Sequence, residues 1–150
     1  MADPRPYDAR LAVILLVDPR GWVLLQERDE LAPRAPNQWG MPGGHVEDDE
    51  DYEPAAYREL LEETGVDLPA GTLTLWCDEE FTYPDGHFGR YHVYAARVDL
   101  TDEDIVVGEG RQIVFVDPER VHELDLASSS QRFVPAFLAS DLYKTLRAAL

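Results

Sequence analysis

The stretch from Gly44 to Val66 constrains this chain more than any other. Its second half reads as a helix. Asp51 stands where it can cap the start, and Gly65 can end the helix in the left-handed conformation that glycine adopts at little cost. Tyr52, Ala55, Ala56 and Leu60 make one apolar face at helical spacing. Glu59, Glu62 and Glu63 fall at i, i+3 and i+4, so their carboxylates project together from another face. For stability alone this is a poor arrangement. Like charges at those spacings cost roughly 0.2–0.5 kcal/mol per pair. Glu62 and Glu63 also stand in the last turn, where the helix dipole disfavours anions by about 0.3–1 kcal/mol. Arg58 can pair with Glu62, but with the base first, which is the weaker order. A solvated acidic face, the ordinary reading of a charge run, does not explain carboxylates placed where the dipole opposes them. A hard divalent cation does, because Mg²⁺ takes oxygen ligands from a few carboxylates and completes its shell with water and phosphate oxygens.

The spacing Gly-x5-Glu-x7-Arg-Glu-aliphatic-x-Glu-Glu-x-Gly-aliphatic is filled here by Gly44, Glu50, Arg58, Glu59, Leu60, Glu62, Glu63, Gly65 and Val66. It resembles the Nudix box at every specified position, and the order of elements around it is similar to that of the Nudix fold. The resemblance implies Mg²⁺-dependent hydrolysis of a nucleoside diphosphate linked to another moiety, with water attacking phosphorus and Mn²⁺ as a substitute metal. Phosphoryl transfer of this kind needs positioning and charge stabilisation more than covalent chemistry. By position in the box, Glu59, Glu62 and Glu63 are metal ligands, one of them alternatively a base, while Arg58 orients the cluster and Glu50 is structural.

The resemblance reaches beyond the box. Trp39-Gly40-Met41-Pro42-Gly43-Gly44 is similar to the segment that precedes it in many family members, which makes Trp39, Gly43 and Gly44 candidate substrate contacts. The backbone of Gly43 is also a candidate metal contact. Residues without a β-carbon let backbone N–H groups approach a phosphate. Many members carry a further acidic residue before a late strand, and Glu109, in Val107-Gly108-Glu109-Gly110-Arg111, stands in a similar place. Its expected role is metal ligand or base; the rival is a solvated turn glutamate like Asp102, Glu103 or Asp104 nearby.

At 150 residues the chain is expected to form one domain. A formal charge of −17 argues against binding duplex nucleic acid or an anionic membrane, but not against a small nucleotide if metal ions supply positive charge locally. Cys77 stands alone, which excludes an internal disulfide. The N-terminus lacks a signal peptide's charged and apolar regions, and Leu11–Val17 is too short to span a bilayer. A cytoplasmic location follows as an expectation, with a homodimer left open.

Residues 1–9 read as a loosely attached arm. Leu11–Val17 is a continuous aliphatic run that suits a strand buried on both faces, and Asp18–Gly21 turns it into a hairpin with Trp22–Gln26. Residues 29–38 form a loop. Thr72–Thr82 and Phe88–Val98 make a second hairpin around Pro84-Asp85-Gly86, and Asp99–Gly108 is an acidic loop. In the strand Arg111–Val116, Ile113 and Phe115 face one way and Val114 and Val116 the other. A helical turn starts at Asp117. Ser128–Ser130 can cap a helix holding Phe133, Phe137 and Leu138, with Pro135 straining its interior, and Asp141–Leu150 continues helical. The order predicts an α/β fold, a Nudix-like mixed β-sheet sandwiched between helices.

His45, His87, His92 and His122 show no metal-ligand spacing, although His45 follows the glycine pair. Trp39, Trp76, Phe81, Tyr83 and Tyr91 suit a core, with one or two available to stack on a base. The alternatives to hydrolysis are a Nudix-fold isomerase or transferase and a non-catalytic nucleotide-binding regulator. A full carboxylate set weighs against both. Substrate candidates are an ordinary or oxidised nucleoside triphosphate, a nucleotide sugar, ADP-ribose or a dinucleoside polyphosphate. The small domain leans towards triphosphates by analogy.

Overall fold

The aliphatic run near the N-terminus becomes the centre of the sheet. In the computed structural model, which describes residues 7–148, the elements run β1 (Ala9–Val17), β2 (Val23–Glu27), β3 (Trp39–Gly40), β4 (Gly43–His45), α1 (Tyr52–Thr64), β5 (Thr74–Thr82), β6 (Phe88–Arg97), β7 (Gln112–Val116), α2 (Ser128–Leu138) and α3 (Asp141–Ala148), with 3₁₀ turns at Asp102–Asp104 and Pro118–Glu123. β1 is parallel to β6 along its whole length. Its other edge is divided: β4 pairs with it from Leu11 to Val13, and β2 only at Val17. β2 then leaves β1 and pairs with β3 and β7. The first hairpin is therefore a single pair long, with β4 on the Leu11–Val13 stretch of the same edge and β2 turned away to β3 and β7.

Both faces of β1 are covered, as a strand without polar alternation requires. Leu11, Val13, Leu15 and Val17 pack with Phe133, Val134 and Phe137 of α2 and Tyr143 of α3. Ala12, Ile14 and Leu16 pack with Ala55, Ala56 and Leu60 of α1. The mixed sheet between helices is as expected. In β7, Ile113 and Phe115 are buried and Val114 and Val116 half-buried, again as read from the pattern.

Three local expectations change. Residues 7–9 are not an arm, since the Asp8 N–H donates to the Phe88 carbonyl and Ala9 pairs with Gly89; residues 1–6 lie outside the described part. Asp51 holds the position before α1 but its side chain makes no capping bond. Arg10 orders the entry instead, donating to the carbonyls of Glu47 (2.7 Å) and Glu50 (3.3 Å) and lying over the Tyr52 ring. Ala127, not a serine, precedes α2, so Ser128–Ser130 form its first turn. As the sequence predicts, Pro135 lies inside α2, where it has no N–H to give the Gln131 carbonyl, and the helix runs on to Leu138. Among the described residues no helix is long and apolar enough to cross a membrane.

Candidate active site

The carboxyl end of α1 is held by the backbone of the acidic loop. Gly65 ends the helix at φ 73°, its N–H donating to the Leu61 carbonyl at 2.9 Å. Beyond it, Val106 N–H donates to the Thr64 carbonyl (2.9 Å) and Gly108 N–H to the Glu63 carbonyl (2.8 Å). A β-carbon on Gly108 would stand 2.3 Å from the Glu62 carbonyl oxygen, so only glycine allows this approach. The loop thus satisfies carbonyls that a helix end leaves open, and brings Glu109 to the cluster.

Glu63 is the buried member. Its Oε2 accepts from the Gly43 N–H at 2.9 Å. Burial pushes its carboxyl up to about 8; the charges of Glu59 and Glu109 act the same way, and Gly43 and Arg28 oppose them. Glu59 is also raised, by burial first and then against the pull of Arg58, with Glu62 and Glu109 adding repulsion. Glu62 is exposed. Gly43, at φ 136°, lies so close to β1 that a β-carbon would meet the Ala12 carbonyl oxygen at 2.3 Å. Gly44 leaves the space that the Glu59 carboxylate fills, since a β-carbon there would stand 2.6 Å from its Cδ.

Arg58 ties the acidic groups together. Its Nε and Nη2 donate to the two oxygens of Glu50 at 2.9 and 2.6 Å, its Nη1 to Glu59 at 3.1 Å and to Glu62 at 3.3 Å, and its Nη2 also to the His45 carbonyl at 3.1 Å. That fork, with the Glu47 N–H, holds Glu50 down at about 2. Glu50 and Glu63 are therefore opposites: one carboxylate is fully paired, the other is desolvated among like charges.

Glu59, Glu62, Glu63, Arg58, Gly43, Gly44 and Glu109 meet at this end of α1. Trp39 does not join them. Its ring packs with the core on the α2 side, and its backbone is fastened to Asp125 and Ala127. Trp76, Phe81, Tyr83 and Tyr91 belong to that same aromatic core, and the Tyr83 and Tyr91 hydroxyls contact each other. His92 is a sheet residue stacked on Tyr52 at 3.5 Å. Gln26 and Arg28 went unread in the sequence. Gln26 is buried and donates from Nε2 to the Glu109 carbonyl at 2.8 Å. A lone amide in the apolar run of β2 was the available signal.

Among the described residues, no three Asp, Glu, His or Cys side chains already surround a common ion position. The donor chemistry nonetheless fits a hard divalent cation. The cluster offers only oxygens, neighbouring carboxylates raise Glu59 and Glu63, and the closest contacts of the Arg58 guanidinium are to Glu50. Mg²⁺ needs few protein carboxylates.

Known proteins extend the picture. An m7GpppN-mRNA hydrolase, NUDT17 of Bos taurus, is 42% identical over 85 residues, which are 53% of this chain and 27% of that protein. The chain thus spans only about a quarter of that relative. The CTP pyrophosphohydrolase of Escherichia coli (strain K12) is 28% identical over 128 residues, 85% of this chain and 90% of that protein. The crystal structure of the MutT protein from Methanosarcina mazei Go1 superposes with a TM-score of 0.72 at 23% identity, covering 91% of this chain and 96% of that one, and supports the fold. Residues 7–137 match the NUDIX domain, and with the box complete and the sheet and helices arranged around it, the chain belongs to the Nudix hydrolase family.

Proposed function

We propose that this protein hydrolyses the pyrophosphate linkage of a nucleoside diphosphate derivative by attack of water on phosphorus. The observation that carries the reading is the meeting of Glu59, Glu62, Glu63 and Glu109 beside the side-chain-free backbone of Gly43 and Gly44. Glu59, Glu62 and Glu63 are the residues that would hold a divalent cation, with Glu109 and the Gly43 backbone at its margin. Bound there, Mg²⁺ or Mn²⁺ neutralises phosphate charge and polarises the phosphoryl oxygens.

The chain's own groups do the rest. Arg58 fixes the Glu59 carboxylate and reaches Glu62, while Glu50 fixes Arg58. The Gly43 N–H orients Glu63. Glu109, exposed in a bend beside the cluster, would accept the proton of the attacking water. A nucleoside triphosphate is the favoured substrate, because a relative aligned over most of both chains is a CTP pyrophosphohydrolase. Incubating the protein with a panel of triphosphates, nucleotide sugars, ADP-ribose and dinucleoside polyphosphates, with and without Mg²⁺, tests this when products are identified by mass. Metal-dependent release of a monophosphate is expected. Nucleotide binding without turnover would leave a regulator, and a rearranged product of unchanged mass an isomerase.

A further inference from the structure

A groove of about 210 Å³ lies between the end of β2, the loop that follows it and the turn that carries Glu109; Gln26, Arg28, Leu31, Pro33, Glu109 and Gly110 are among its lining. It adjoins the carboxylate cluster, for Glu109 belongs to both and the charge of Arg28 acts on Glu63. Pockets for whole drug-sized ligands run to roughly 300–1,000 Å³, so this one suits a single moiety. Its chemistry favours a base over a phosphate. Asp29 and Glu109 in the lining repel an anion, whereas Leu31, Ala32 and Pro33 offer an apolar wall and Gln26 and Arg28 polar groups. Leu31, 84% exposed, stands in water where a stacked ring would cover it.

The loop forming one wall is strained. Ala35 (φ 49°) and Asn37 (φ 63°) both adopt the left-handed region, and neither is glycine. Such conformations persist only where the surroundings over-determine them, and they gather at ligand sites. The loop is held from within by Asp29, which accepts from the Leu31 and Asn37 N–H groups, and by Arg28, which donates to the Arg34 carbonyl; the tie from the opposite wall is Arg111. Its Nη2 donates to the Asn37 side-chain oxygen at 2.7 Å and to Glu30 at 3.0 Å, while its backbone N–H donates to the Glu27 carbonyl at 2.8 Å. The opposite wall is equally tight. Gly110, at φ 87°, leaves no room for a β-carbon, which would stand 2.7 Å from the Glu27 carbonyl oxygen, and Gln26 grips the Glu109 carbonyl. Arg111 thus starts on the Glu109 turn and ends on the strained loop, spanning the two walls.

We infer that Arg111 is a positioning residue that braces the 29–37 loop against the Glu109 turn, and that the groove so held selects the nucleobase of the substrate. The inference rests on the hydrolase reading for its ligand, but its test does not need turnover. Binding of the four ribonucleoside 5′-monophosphates is measured by calorimetry, alongside hydrogen exchange across residues 29–38 and thermal unfolding. The wild type is expected to prefer one base. Arg111→Gln should weaken that nucleotide at least about tenfold, level the four to within about threefold, and speed exchange in the loop while the protein stays folded. Asn37→Ala should act in the same direction, and the double variant should be no worse than Arg111→Gln, in which the Arg111–Asn37 contact is already lost. Should Arg111→Gln prove unstable, Asn37→Ala alone decides, since it leaves the Glu30 and Glu27 contacts of Arg111 in place. An unchanged base preference in the variants, unchanged loop exchange, or equal wild-type affinity for all four bases would overturn the inference. Failure of the wild type to hydrolyse any nucleotide with Mg²⁺ would count against the hydrolase reading, and the binding preferences would still decide the groove.

Discussion

The two faces of the sheet are built from different materials. On the α2 and α3 side, large rings interlock: Phe133 and Phe137 are fully buried, and Trp76, Phe81, Tyr91 and Tyr143 pack around them. On the α1 side the helix buries Ala55, Ala56 and Leu60 against the sheet, with Tyr94 and Phe115 in the same core and Trp22, Tyr52 and Tyr57 at its margin. Small side chains let a helix lie close, and that closeness allows the backbone of Gly43 to reach the Glu63 carboxylate at 2.9 Å. One face devotes its residues to packing. The other keeps alanines where α1 meets the sheet, and holds a charged cluster by backbone groups at short range.

Paired substitutions break this contrast most sharply. Glu62→Gln should lower turnover at saturating Mg²⁺ by roughly 10²-fold or more, since metal stabilisation of transition-state charge amounts to several kcal/mol. The protein should stay as stable as before or gain slightly, because an anion opposed by the helix dipole is gone. Phe133→Ala should do the reverse, costing roughly 3–5 kcal/mol of stability while the folded fraction keeps its turnover. Near-normal turnover in the first, or a selective loss of catalysis in the second, contradicts the division between the faces. Next in size is Glu109. Comparing Glu109→Gln with Glu103→Gln controls for lost loop charge, and only the former should lose about 10²–10⁴ in rate, the typical worth of a positioned base. Wild-type rates for both from pH 6 to 9 would return Glu109 to the surface and leave the base within the box.

A smaller effect separates Glu63 from Glu50 within the α1 face. Glu63 has a folded pKa of about 8 against 4.5 for the free group. The fold therefore holds a proton that the unfolded chain has released, and this contribution to stability is complete below about 4.5, shrinks as pH rises and is lost above about 8. Glu50, at about 2, has the opposite sign: its contribution is present above 4.5 and is lost as pH falls through about 2. Metal-free protein should thus lose melting temperature between pH 5 and 8, and Glu63→Gln should flatten that slope while Glu50→Gln leaves it. A slope unchanged by Glu63→Gln would place the titration elsewhere. Smallest of all is Asp51→Ala. A capping aspartate is ordinarily worth about 1 kcal/mol, but Asp51 makes no capping bond, so its loss should cost under about 0.5 kcal/mol; a full cap penalty by denaturant unfolding would show that the side chain does cap in solution.

What the sequence revealed follows the reach of each interaction. α1 was legible from Asp51 to Gly65 because helical periodicity and a left-handed glycine are local. β1 was legible because an unbroken aliphatic run has few homes other than a strand covered on both sides. The carboxylate cluster was legible because three glutamates share one helix face. Long-range choices were not. Nothing local says that β4 takes the edge of β1 that a longer hairpin would have used, or that Asp8 and Ala9 extend the parallel pairing with β6. The entry to α1 depends on Arg10, from another strand, and the groove on Arg111 meeting Asn37, 74 residues away. Trp39 shows the same limit: its neighbourhood in sequence leads to the site, while its ring packs on the opposite face.

The central claim is that Glu59, Glu62 and Glu63 together make the cation site on which hydrolysis depends. It is tested most directly by adding Mg²⁺ to wild type and to the triple glutamine variant while following melting temperature and nucleotide turnover. A ligand bound only by the native state stabilises it, by about 2.7 kcal/mol at a hundred times its dissociation constant. Wild type should therefore melt higher with Mg²⁺ and release monophosphate, and the triple variant, folded without metal, should do neither. An equal Mg²⁺ shift with equal turnover in the triple variant would contradict the account, because the ion would then be screening the −17 charge of the whole chain and the chemistry would lie elsewhere.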